Sequence, residues 1–268
     1  FNGGRFGVQL FFLLSGFVIP FSFSGDEPVK RFLISRFFRL YPAFWASLVA
    51  ASLVSFVPPA QFAANATMAP ILFGQPLAVG AYWTLFFELC FYALCILLFM
   101  SGMQTRYIGA LAIVFLAWFP LQGGVGNFSF IGLMMTGTLL RRAILEGDEQ
   151  AKTWAIWAIA VLVGGAAVTV VERTDVSLPV IAALILFLLA VKYEVRSSLL
   201  EWLGKVSYSL YLFQGVVLLA LPQMPAPIYI VTAIGLSIGI AALSYRFIEA
   251  PTNAFGRRLT QRPVTATI

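Results

Sequence analysis

Residues 82–100 read YWTLFFELCFYALCILLFM, a run long and apolar enough to cross a bilayer as a helix, for which about 18 such residues suffice. One carboxylate, Glu88, interrupts it. On a helix of about 3.6 residues per turn, Thr84 and Tyr92 share its face, one turn to either side, with Cys95 on the edge of the stripe. An ionised side chain at the centre of a membrane helix costs about 2.5–3.5 kcal/mol on insertion scales, so such residues turn toward a bundle interior or a wet cavity and serve function. The plainer alternative is an acid satisfied by an arginine or tyrosine of a neighbouring helix, for packing alone. If residue 82 is at the outer surface, Glu88 lies roughly 10 Å below it at the helical rise.

Working outward, the whole chain has the composition of a membrane protein. Of its 268 residues, 60% are apolar and 10% charged, and the mean hydropathy is +0.92. Soluble domains sit near about 45–50% and 25%. Apolar runs recur at about 8–23, 42–58, 82–100, 107–122, 125–140, 154–171, 178–191, 206–221 and 228–248. The expected fold is all-α: a polytopic transmembrane helical bundle of nine spans, forming one domain over 1–268 with a short tail from about 250. The basic residues test that count, because Lys and Arg favour cytoplasmic loops. Loops 24–41, 101–106, 141–153 and 192–205, with the stretch from Arg246 onward, hold 15 of the 17; only Arg5 and Arg173 fall on the other side. This places the amino end outside and the carboxyl end in the cytoplasm. The net charge of +6 then marks topology and suits anionic membrane lipid rather than nucleic acid. Trp154, Trp157, Trp202 and Tyr107 sit at span ends, where interfacial aromatics belong.

With no histidine in the sequence, imidazole-dependent Ser or Cys catalysis and the usual zinc sites are excluded for these residues, and no metal ligands are assigned. Cys90 and Cys95 point about 140° apart on one helix and cannot pair within it. The chain opens at Phe1 directly before an apolar run whose start is placed outside. An upstream helix is therefore expected, making ten spans.

Three further stretches concentrate polar chemistry. VKRFLISRFFRLYP (29–42) is two-faced as a helix: Arg31, Ser35, Arg36 and Arg39 fall within an arc of about 140°, opposite Leu33, Phe37, Leu40 and Tyr41. It is expected to lie flat on the inner interface, either as a basic lipid anchor or as a phosphate clamp, since guanidinium groups three apart offer planar bidentate donors. In LGKVSYSLYLFQG (203–215), Ser207, Tyr211 and Gln214 line one face with Tyr208 beside them; hydrogen bonds between helices would equally explain the stripe. In SYRFIEAP (244–251), Arg246 and Glu249 are expected to pair one turn apart, and the helix to stop before Pro251.

Taken in order, GRFGVQLFFLLSGFVI (4–19), RFLISRFFRLYP (31–42), YWTLFFELCFY (82–92), LGKVSYSLYLFQ (203–214) and SYRFIEAPTNAFGRRL (244–259) resemble acyltransferase family 3. These are bacterial membrane O-acyltransferases that modify polysaccharides, lipopolysaccharide and other glycosides. The resemblance spans nearly the whole chain. It implies that Arg36 and Arg39 contact the acyl-coenzyme A donor, acetyl-coenzyme A in the simplest case, and that Glu88 lines the cavity where transfer occurs. No permanently bound cofactor is implied.

Two departures stand out. The family's first helix, with an arginine and the histidine expected to act as general base, is absent, and Gln214 stands where many members have histidine. This stretch is therefore expected to be incomplete as a catalyst. The implied mechanism brings the donor from the cytoplasm and a carbohydrate or glycolipid hydroxyl from the outer side, near Glu88. Tyr92, Tyr208, Tyr211 or Gln214 would hydrogen-bond the developing oxyanion or orient the sugar. Two rival classes fit the same polar groups: a glycolipid or acyl-group transporter without chemistry and a non-catalytic membrane scaffold. Inverted repeats would favour the transporter, and no convincing internal repeat is present.

Overall fold

A computed structural model describes residues 2–120, 128–171, 174–193 and 197–260. In chain order its α-helices are α1 (Gly3–Val18), α2 (Pro28–Val54), α3 (Pro59–Asn65), α4 (Trp83–Met100), α5 (Thr105–Ala117), α6 (Ser129–Leu145), α7 (Glu149–Thr169), α8 (Thr174–Lys192), α9 (Ser198–Ala220), α10 (Ala226–Ser244) and α11 (Ala250–Thr260). No strand occurs among the described residues. Seven helical stretches are long and apolar enough to cross a membrane. Helices α5 and α6, at 13 and 17 residues, occupy the other two expected span positions. The expected spans 107–122 and 125–140 meet in 121–127, outside the described residues, as does Arg173.

Two expectations about boundaries are corrected. The basic segment 29–41 is not a separate interfacial helix: it is the first half of α2, which runs through Pro42 without a break. Proline interrupts a helix by removing one N–H and crowding one carbonyl, and the apolar contacts along α2 outweigh that local loss. At the other end, the last helix does not stop before Pro251. A π-helical turn over Tyr245–Glu249 joins α10 to α11, with the Ala250 N–H bonded to the Tyr245 carbonyl. The wider turn relieves the clash that Pro251 would impose on an unbroken α-helical ladder.

The chain divides into two compact units, residues 1–23 with 87–195 and residues 24–86 with 196–268. In the first unit, α1 packs against α6 through small residues. A Cβ on Gly16 would stand 1.7 Å from the Met134 carbonyl oxygen, and one on Gly137 2.2 Å from that of Leu13. Only glycine permits such backbone approach, the common device of helix packing in membranes, where burial from water no longer drives association. Thr138 Oγ1 donates to the Gly16 carbonyl at 3.0 Å across the same contact. Arg141 donates to the Phe17 carbonyl at 3.1 Å and lies over the Phe21 ring at 4.2 Å, a cation at a helix C-terminus. Asp148 caps α7 through the Ala151 N–H at 3.0 Å and accepts from Thr105 at 2.8 Å. The Ala151 N–H is the main cause holding its carboxyl below the usual carboxylate range.

Contacts inside this unit also give the helix directions. Leu13 and Phe17 meet Gly137 and Arg141. Phe12 and Phe23 meet Phe87 and Phe99, and Arg5 and Phe17 meet Asp175 and Phe187. Helices α1, α6 and α8, with α4 beyond Phe86, are therefore parallel. Helix α5 runs against α6, since Leu116 meets Gly132 while Thr105 meets Arg142. It runs parallel to α7, since Gly109 meets Trp154 while Phe119 meets Gly165.

In the second unit, α2 and α9 pack together and α11 returns beside the start of α2. Phe38 and Phe255 meet at 5.2 Å, and a Cβ on Gly256 would stand 2.8 Å from the Phe38 Cβ. The expected outer loop 59–81 folds back along α2, where Trp45 Nε1 donates to the Ala66 carbonyl at 2.9 Å. Asn65 pins its return, donating to Pro76 O at 2.9 Å and accepting from Ala78 N at 3.0 Å. These bonds satisfy non-helical backbone and set the entry to α4.

Candidate active site

The two halves of the polar chemistry fall in different units and are described in turn. In the first unit, Glu88 is 5% exposed and Tyr92, one turn on along α4, donates its hydroxyl to Glu88 Oε1. The i, i+4 spacing makes this bond possible, and the run of apolar residues around it makes it necessary, because a buried carboxylate without donors is costly. The third member of the sequence stripe, Thr84, belongs to the second unit and bonds elsewhere.

In the second unit, Tyr211 on α9 donates to the Ala81 carbonyl and lies 2.6 Å from Thr84 Oγ1. Its single proton is committed to Ala81, so Thr84 is the donor in the second bond. Beside it, Ser47 gives its proton to the Phe44 carbonyl at 2.8 Å and therefore accepts from Tyr82 at 2.9 Å. A Cβ on Gly215 would stand 2.4 Å from Val79 Cγ1, so α9 closes directly on the segment leading into α4. Tyr208 donates to the Leu40 carbonyl at 2.9 Å. Gln214 is exposed on α9, as is Ser207, which turns back to the Gly204 carbonyl at 2.8 Å.

The basic face of α2 leads to the same set of helices. Arg36 is half-buried, its guanidinium 5.3 Å from the centroid of the Phe32 ring, and Arg39, three residues on, is exposed. The expected pair between Arg246 and Glu249 does not form among the described residues. Arg246 is exposed over the Phe247 ring at 5.7 Å. Glu249, 4% exposed, accepts instead from Ser209 at 2.8 Å. The π turn is the reason: widening the helix there swings Glu249 off the face it would share with Arg246 and inward toward α9. Reading the sequence with an α-helical period missed Ser209, Ser244 and Glu249 as a group. The available signal was a lone acid directly before Ala-Pro at the end of an apolar run.

No group of metal-ligating side chains occurs among the described residues. What they hold is a buried carboxylate with a phenol donor in one unit, and in the other a basic helix face tied to a tyrosine-rich helix. These features belong to an all-α helical protein with seven stretches long and apolar enough to cross a membrane. The family model described as an acyltransferase domain, acyltransferase family 3, matches residues 1–247, and the chain belongs to that family. No curated protein and no solved structure matches it.

Proposed function

We propose that this membrane acyltransferase moves an acyl group, acetyl in the simplest case, from acyl-coenzyme A to a hydroxyl of an envelope polysaccharide, lipopolysaccharide or glycolipid. The observation that carries the donor assignment is the basic face of α2, where Arg36 and Arg39 stand three residues apart. The helix beside them is anchored by the bond from Tyr208 to the Leu40 carbonyl. Guanidinium forks suit phosphate oxygens bidentately and remain charged in a partly apolar setting. The partition of basic residues supports placing this end of α2 in the cytoplasm, where acyl-coenzyme A is made.

In the reaction the acceptor oxygen attacks the thioester carbonyl and a carbon–oxygen bond forms. The carbon–sulfur bond breaks, and coenzyme A leaves as the thiol after taking up the proton lost by the hydroxyl. Glu88, oriented by Tyr92, is assigned to holding the acceptor hydroxyl in the cavity where transfer occurs. Tyr211, held by Ala81 and Thr84, and the exposed Gln214 are assigned to orienting substrate.

Equilibrium binding of coenzyme A to the detergent-solubilised intact protein tests the donor assignment. Arg36→Lys and Arg39→Lys each keep the charge but lose the planar fork, and each should weaken binding by about fivefold or more, near 1 kcal/mol. Unchanged affinity in both variants would return this face to a lipid-anchoring role.

A further inference from the structure

Glu249 is a buried carboxylate that the reaction outlined above leaves without a role, and it lies just beyond the residues matched by the family model. Two neighbouring residues of α9 fix where it sits. Tyr208 donates to the carbonyl of Leu40, the residue after Arg39, at 2.9 Å. Ser209 donates to Glu249 Oε2 at 2.8 Å, with Ser244 Oγ 3.1 Å from its own oxygen. Arg39 and Glu249 are thus each within one residue of a bond made by the adjacent pair Tyr208–Ser209. The packing of Phe38 on Phe255 and Gly256 closes the same corner. Arg246, one turn before Glu249 in sequence, is instead turned onto Phe247. Arg39 and Glu249 do not close into an ion pair among the described residues.

We infer that Glu249, fixed by Ser209 at the π turn, is a positioning residue that holds Arg39 in the orientation that takes the phosphate of the acyl-coenzyme A donor. This rests on the donor-binding reading of Arg39. An exposed arginine side chain samples many rotamers, and binding through it must first order it. A fixed negative charge behind the guanidinium narrows that choice in advance. The five donors of the group still leave an edge for phosphate. The π turn gives this arrangement a structural origin, because it rotates Glu249 away from the face of Arg246 and toward α9; such turns are frequent at functional sites.

A double-mutant cycle on the intact protein tests the inference, reading coenzyme A affinity together with KM for acetyl-coenzyme A and for the acceptor. Glu249→Gln keeps the acceptor oxygen for Ser209 and removes the charge. It should weaken coenzyme A binding by about fivefold and raise the donor KM, with the acceptor KM unchanged, and Glu249→Asp should recover part of the loss. In combination with Arg39→Lys it should cost nothing beyond Arg39→Lys alone. Losses that multiply, or an affinity unchanged by Glu249→Gln, would overturn the inference while leaving the donor reading intact. If Arg39→Lys by itself leaves affinity unchanged, the donor reading fails and the inference with it. Should Glu249→Gln not fold, Ser209→Ala gives the same cycle by removing the bond that fixes the carboxylate, with the same outcomes expected.

Discussion

Glu88 and Glu249 are both buried in apolar helices, yet the sequence exposes one and conceals the other. Glu88 stands alone in a long apolar run, and its donor, Tyr92, lies at the i, i+4 position that any α-helix brings onto the same face. That pair is legible because helix geometry alone creates it. Glu249 is different: an α-helical period aligns it with Arg246, and the π turn redirects it to Ser209. The hydroxyls of Tyr208 and Tyr211 were hidden for another reason. Their acceptors are the backbone carbonyls of Leu40 and Ala81, and a backbone acceptor leaves no mark in the side-chain pattern. At this scale the account predicts that Glu88→Gln folds normally and loses acyl transfer. A purely structural carboxylate paired with a buried cation would instead lower stability by about 3–5 kcal/mol on neutralisation. Thermal unfolding in detergent, measured beside acetyl transfer to a glycoside, separates the two, and a transfer rate within threefold of the parent would remove Glu88 from the mechanism.

Among the elements, the long apolar helices fall where hydropathy puts them, because burial in lipid demands about 20 apolar residues whatever the partners. Boundaries set by proline did not follow the local rule. Pro42 lies within α2 and Pro251 within α11, each tolerated where neighbouring contacts or a π turn absorb the missing N–H. The contact of α1 with α6 was equally hidden, since a glycine in a span reads the same whether or not a backbone lies against it. Gly16→Ala tests that contact. The added methyl would meet the Met134 backbone oxygen at 1.7 Å, so the helices must separate and the bond from Thr138 to Gly16 must stretch. The expected cost is about 1–3 kcal/mol, read as a lowered melting temperature in detergent. Gly164→Ala on α7, where nothing lies within 4 Å of the added methyl, should leave the melting temperature unchanged.

For the molecule as a whole, the alternating basic loops and the helix directions tell one story from independent sources. In the first unit the contacts make α1, α6, α8 and the later part of α4 parallel, with α5 and α7 opposed to α6. Strict alternation of spans requires that arrangement, even though α5 is only 13 residues long. Apolar length marks seven stretches able to cross a membrane, and the direction of each helix in the first unit follows from the order of its contacts, so the run of the chain was readable where individual partners were not. Membership of acyltransferase family 3 joins that topology to a chemistry, and the proposed donor side follows from the basic start of α2. Sealed membrane vesicles of known orientation carrying the intact protein, supplied with labelled acetyl-coenzyme A from outside, test this most directly. Inside-out vesicles, which present the cytoplasmic face, should transfer label to the glycan acceptor, and Arg36→Lys with Arg39→Lys should sharply reduce that transfer at sub-saturating donor. Right-side-out vesicles should transfer none until they are permeabilised. Transfer from right-side-out vesicles alone, or equal transfer by the doubly substituted protein, would contradict a cytoplasmic donor held on α2.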